Sequence, residues 1–117
     1  MKIEPLQPGS DLPCPVTHAL AVIGGKWKPL LLFVVTNGVN RFGAMQRAIP
    51  AITKQMLTQQ LRELEADGIL HREVFAEVPP RVEYTLTDRG RTLLPVVQTL
   101  GDWGRADLAA SQGLSEA

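Results

Sequence analysis

TKQMLTQQLRELEAD, Thr53 to Asp67, followed by Gly68, decides how the rest of this chain is read. Thr53 is a good N-cap, because its hydroxyl accepts from a backbone N–H left unpaired in the first helical turn. Gly68 is a good stop, because glycine tolerates the left-handed backbone that ends many helices. At roughly 100° per residue, Leu57, Leu61 and Leu64 share one face, and Gln55, Thr58, Gln59 and Arg62 fall opposite. That polar face bears amides, a hydroxyl and a guanidinium. Such groups can be read against base edges or phosphates.

Downstream of Gly68 the period changes from helical to alternating. Leu70 to Phe75 and Val82 to Leu86 read as two strands. Between them, Ala76 to Arg81 (AEVPPR) places two prolines where a paired strand centre cannot hold them, so this is a hairpin tip. Thr87 can cap a last helix, Asp88 to about Ala110, with Asp88 in its favourable first turn. Gly90 and Pro95 predict a weak start and a bend near residues 91–95. Leu93, Val96, Val97, Leu100, Trp103 and Leu108 form its apolar stripe.

Upstream, Pro15 to Ile23 reads as a first helix, broken by Gly24-Gly25. A second, Lys26 to Thr36, ends at Asn37-Gly38, with Trp27, Leu30, Leu31 and Val34 as the expected buried stripe. It is apolar nearly all round, which predicts a central position. Asn40-Arg41-Phe42 reads as a short strand and Gly43 to Ala48 as a third helix with Met45 and Ile49 inward. Residues 1–13, with three prolines, read as a flexible tail, and 111–117 as a frayed one.

The 117 residues suit one domain, expected over 14–110, and a hydrophobic content of 44% excludes a disordered chain. Net charge is zero, but residues 1–62 carry +5 and residues 63–117 carry −5. A polarised chain can present one basic face. The single cysteine, Cys14, excludes an intrachain disulfide, and no Cys/His spacing resembles a metal site. No cofactor and no enzymatic role are expected: there is no clustered His/Asp/Glu set, nucleophile motif or phosphate-cradling loop. The apolar run Leu30 to Val35 is too short to span a bilayer, and the N-terminus lacks a signal pattern. The expected location is cytoplasmic, with no membrane partner.

The order helix, helix, short strand, helix, turn, helix, hairpin, helix is a winged helix-turn-helix plan, mainly α with one antiparallel hairpin. Residues 43–67 form the helix-turn-helix, 69–86 the wing and 88–110 the last helix. Candidate DNA contacts on the reading helix are Thr53, Lys54, Gln55, Thr58, Gln59 and Arg62, with Arg81 at the wing and Arg47, Arg41, Lys28 and Lys26 as phosphate contacts. The competing reading is a winged-helix module that binds protein rather than DNA.

CPVTHAL, IGGKWK, RF, IPAITKQMLTQQLRELEADGIL, VPPRVEYTLTDRG and LPVVQTLGDWG, in this order over Cys14 to Gly104, resemble the HxlR family of bacterial transcriptional regulators. The pattern departs at Ala51, where the family turn is expected to hold glycine. The resemblance implies a DNA-binding homodimer whose first and last helices build the interface, here Val16, Leu20, Leu93, Val96, Val97, Leu100 and Trp103. It also implies regulation of nearby genes, often in response to oxidants, electrophiles or aromatic compounds. Cys14 has two readings. As a sensor, it lies at a helix start, where partial positive charge favours thiolate, and it matches a position at which some family members sense. As a structural residue, it is a small group among apolar neighbours. Trp27, Phe33, Tyr84 and Trp103 are read as core or interface, not as a ligand pocket.

Overall fold

The computed structural model describes residues 14–113. The expected tail over 1–13, and 114–117, lie outside the described residues. Six helices and one hairpin follow in order: α1 (Pro15–Ile23), α2 (Lys28–Thr36), α3 (Phe42–Ala48), α4 (Lys54–Ala66), β1 (Leu70–Phe75), β2 (Arg81–Leu86), α5 (Asp88–Arg91) and α6 (Leu94–Ser111).

α4 is bounded as its sequence predicts. The Met56 N–H donates to Thr53 Oγ1 at 3.1 Å, and Gly68 follows the helix with φ +72°. Leu57, Leu61 and Leu64 are buried against Leu31, Leu32 and Met45, with Ile69 and Leu70 continuing the same core into β1. Thr53→Ala should lower unfolding stability by about 1 kcal/mol, read as a shift in the urea midpoint with unchanged slope. A shift below a few tenths would mean that the cap carries no weight.

α2 is central, packing against α3, α6 and β2. It begins at Lys28 rather than Lys26, because the Gly24-Gly25 break extends through Trp27, and Pro29 then sits in the first turn. Its buried stripe also differs from expectation: Leu31, Leu32, Val34 and Val35 are inside, whereas Leu30 and Phe33 are exposed. A helix apolar on every side has no sequence phase to say which side faces out. The expected strand at 40–42 does not form. One bond joins this segment to the hairpin, Tyr84 N–H to the Asn40 carbonyl at 2.9 Å, and α3 already starts at Phe42. No described non-glycine residue has positive φ, so the turn at Ala51 needs no glycine.

β1 and β2 pair antiparallel from Leu70↔Leu86 to Phe75↔Arg81. The last helix is broken, as Gly90 and Pro95 predict, between Arg91 and Leu94. Gly90 is required by proximity: a Cβ there would lie 2.2 Å from the Ile69 carbonyl oxygen. The joint is tied to the end of α4. Thr87 Oγ1 donates to the Gly68 carbonyl at 2.5 Å and accepts from the Gly90 N–H at 2.9 Å, and the Arg89 guanidinium donates to the Asp67 carbonyl. The elements form a winged helix-turn-helix.

Candidate nucleic-acid interface

The side of α4 turned away from the core is an open polar surface lined by Lys54, Gln55, Thr58, Gln59, Arg62 and Glu63. Four of these six are the residues the helical period selects, and Lys54 is the candidate contact at the helix start. Thr53 is exposed but its oxygen is engaged in the cap. Thr58 is half-buried and its hydroxyl donates to the Lys54 carbonyl at 2.8 Å, leaving it an acceptor. Arg62 and Lys54 are exposed, and neither meets a carboxylate among the described residues. The same holds for Arg47, in the last turn of α3.

Glu63 is the member that sequence reasoning missed. Its Oε1 accepts from Lys28 Nζ at 2.5 Å and its Oε2 from Gln59 Nε2 at 3.0 Å. The hydrogen bond from Lys28, then that from Gln59, hold its carboxyl below the usual range. Lys28 is thereby removed from the expected phosphate contacts. It is 8% exposed, because the first turn of α2 meets α4 there, and its charge is answered within the chain. Lys26 remains exposed, with its ammonium 4.8 Å from the centre of the Trp27 ring.

At the wing, Arg81 has two readings from sequence, a DNA contact or an ion partner of Glu83 or Glu77, and the geometry favours the second. Arg81 opens β2 and is clasped by Glu77 at 3.1 Å and Glu83 at 3.2 Å, with its guanidinium 3.9 Å from the centre of the Phe75 ring. Arg41 is exposed and lies 3.4 Å from Glu83. The cation that faces the α4 surface is instead Arg72 of β1. It lines a cleft with Phe42, Thr58, Arg62, Glu65 and Tyr84, and it has no ion partner among the described residues. Only the alternation of β1 could have pointed to it, and that alone does not say which strand face turns toward α4.

Away from this surface, α1 and α6 expose Val16, Leu20, Val96, Leu100, Trp103 and Leu108, with Trp103 69% exposed. Leu30 and Phe33 of α2 add to the exposed apolar set. Two residues of the expected interface are instead engaged within the chain: Val97 is buried, and Leu93 is packed against the core. The broken helix turns their side of the stripe inward.

Cys14 is half-buried as the N-cap of α1. The nearby Thr17 hydroxyl and backbone N–H, and to a smaller extent the Val16 N–H, hold its thiol below the usual range against the opposing effect of burial, although its sulfur makes no capping hydrogen bond. Among the described residues, no cluster of three or more His, Cys, Asp or Glu could hold a metal ion, and no single helix is long and apolar enough to cross a membrane.

The HxlR-like helix-turn-helix family pattern matches residues 22–112. YybR of Bacillus subtilis (strain 168), an uncharacterized HTH-type transcriptional regulator, is 55% identical over 94 residues, covering 80% of this chain and 75% of that protein. Among solved structures, the redox regulator HypR in its oxidized form is similar at 56% identity and TM-score 0.77, covering 80% of this chain and 96% of that one. Its reduced form is similar at 51% identity and TM-score 0.80, covering 86% and 99%.

Proposed function

This chain belongs to the HxlR-like helix-turn-helix family, as a transcriptional regulator rather than an enzyme, and from that premise we propose that it binds a pseudo-palindromic operator as a homodimer and responds to oxidants through Cys14. The observation that carries the DNA reading is the outward face of α4. It is uncommitted to the core, polar, and bears Arg62 and Lys54 without carboxylate partners among the described residues. Gln55, Gln59 and Arg62 read base edges in the major groove. Lys54, Arg47, Arg41 and Arg72 meet phosphates and set register without reading sequence. Two copies related by a two-fold axis place their α4 helices in successive major grooves, roughly 34 Å apart.

The redox part is supported by the lowered thiol of Cys14 and by the likeness to HypR. A hydroperoxide would transfer one oxygen to Sγ, giving a sulfenic acid and releasing an alcohol or water. A second thiol, from a small molecule or from Cys14 of another copy, then displaces the hydroxyl as water and leaves a disulfide. Within one chain no other thiol exists to do this.

The test is fluorescence anisotropy on a duplex from the gene's own upstream region against a scrambled duplex, with reduced and peroxide-treated protein. Reduced protein should prefer its own duplex. Oxidation should remove that preference, reductant should restore it, and Cys14→Ser should bind without responding. A Gln55→Ala/Arg62→Ala double variant should bind at least about ten-fold more weakly. Wild-type binding by that variant would overturn α4 as the reading surface, and no duplex binding at low salt would overturn the regulator itself.

A further inference from the structure

The α4 surface contains a contact that orients one of its own reading groups. A glutamine amide offers two N–H donors and one carbonyl acceptor, and an exposed one ordinarily turns freely. Gln59 is not in that condition. Its Nε2 donates to Glu63 Oε2 at 3.0 Å, one helical turn along. Glu63 is itself held, because its other oxygen takes the ammonium of buried Lys28 at 2.5 Å. Lys28 enters from α2, in the core, so the chain of contacts runs from the fixed interior to the reading face.

Resting on the DNA-binding reading of α4, we propose that Glu63, anchored by Lys28, is a positioning residue that fixes the Gln59 amide so that it selects adenine at one position of each half-site. With one N–H spent on Glu63, Gln59 presents its remaining N–H beside its carbonyl. Adenine alone shows the complementary pair on its major-groove edge, the N7 acceptor beside the N6 donor. A flipped amide would set the carbonyl of Gln59 against a carboxylate oxygen, acceptor to acceptor. The low pKa of Glu63 keeps it acceptor-only at neutral pH, and Lys28 cancels a charge that would otherwise repel phosphate.

Glu63→Gln makes a distinctive outcome available. The single remaining side-chain oxygen at position 63 goes to the Lys28 ammonium, and the new NH2 faces Gln59. Gln59 then accepts with its carbonyl and turns both N–H groups outward, toward an edge with two acceptors. Guanine, with N7 and O6, shows that edge.

The experiment is selection from a randomised duplex library by the full chain, followed by sequencing of the bound fraction. Wild type should select a motif with adenine at one position per half-site that Gln59→Ala abolishes. Glu63→Gln should lower adenine preference at that same position by about ten-fold, with guanine gaining. Preferences at the other positions should not move. The double variant Lys28→Met/Glu63→Gln leaves no unpaired buried charge and so guards against simple misfolding. It should show no base preference at that position. Wild-type base preferences in folded Glu63→Gln or in the double variant overturn the positioning role while leaving the regulator in place. A wild-type selection without any motif overturns the DNA reading, and this proposal with it.

Discussion

Trp103→Glu should convert the proposed homodimer to a monomer and weaken operator binding by about 100-fold or more. The argument starts from exposure. Trp103 is 69% exposed on α6, beside Pro95, Val96, Thr99 and Leu100, which line an apolar groove with it, and α1 exposes Val16 and Leu20. Monomeric soluble proteins rarely leave large contiguous apolar patches in water, and a self-complementary two-fold contact covers such helices with their own copies. A carboxylate at 103 would be buried without a partner in that contact, which is strongly unfavourable. Within the single chain the same side chain faces solvent, so far-UV circular dichroism should still report a folded helical protein. The loss of DNA affinity follows because two half-sites are no longer joined at high effective concentration. Sedimentation velocity and anisotropy check the two parts. A Trp103→Glu protein that remains dimeric and binds as before would move the dimer contact elsewhere.

Leu61→Ala should reduce unfolding stability by about 2–5 kcal/mol. Leu61 is 1% exposed on the inner face of α4, between Leu57 and Leu64 in the same cluster. Removing three carbons from that site forfeits their transfer out of water and leaves a cavity that packed neighbours fill only in part. Against a typical total of about 5–15 kcal/mol, this is a large fraction. Urea unfolding read by circular dichroism measures it. A loss below 1 kcal/mol would mean that α4 does not rest on this core. Gln55→Ala, on the opposite face of the same helix, should change stability by less than about 0.5 kcal/mol.

The contrast between these faces was legible in the sequence because it is local. The three leucines lie within one helix that Thr53 and Gly68 bound, and periodicity and capping act over a few residues. The hairpin was legible for the same reason: alternation on either side of Pro79-Pro80. What escaped were pairings between distant segments. Lys28 and Glu63 are 35 residues apart, and no local rule brings them together. The clasp of Arg81 did not escape in this way: Glu77 and Glu83 lie four and two residues from it, and pairing with them is the local alternative to a DNA contact. The inward turn of Val97 and the outward turn of Phe33 depend on how α6 lies across α2, whose all-apolar sequence does not favour one orientation.

The clasp of Thr87 and Arg89 on the last residues before β1 has a mechanical meaning. It bolts α5, the short helix that leads into α6, to the end of α4, through Asp67, Gly68 and Ile69. Gly90 lets the two backbones meet there with no side chain between them. The end of α4 and the segment that enters α6 therefore share one joint. In the proposed homodimer, the spacing of the two α4 helices would be set, through this joint, by how the two α6 helices pack against one another.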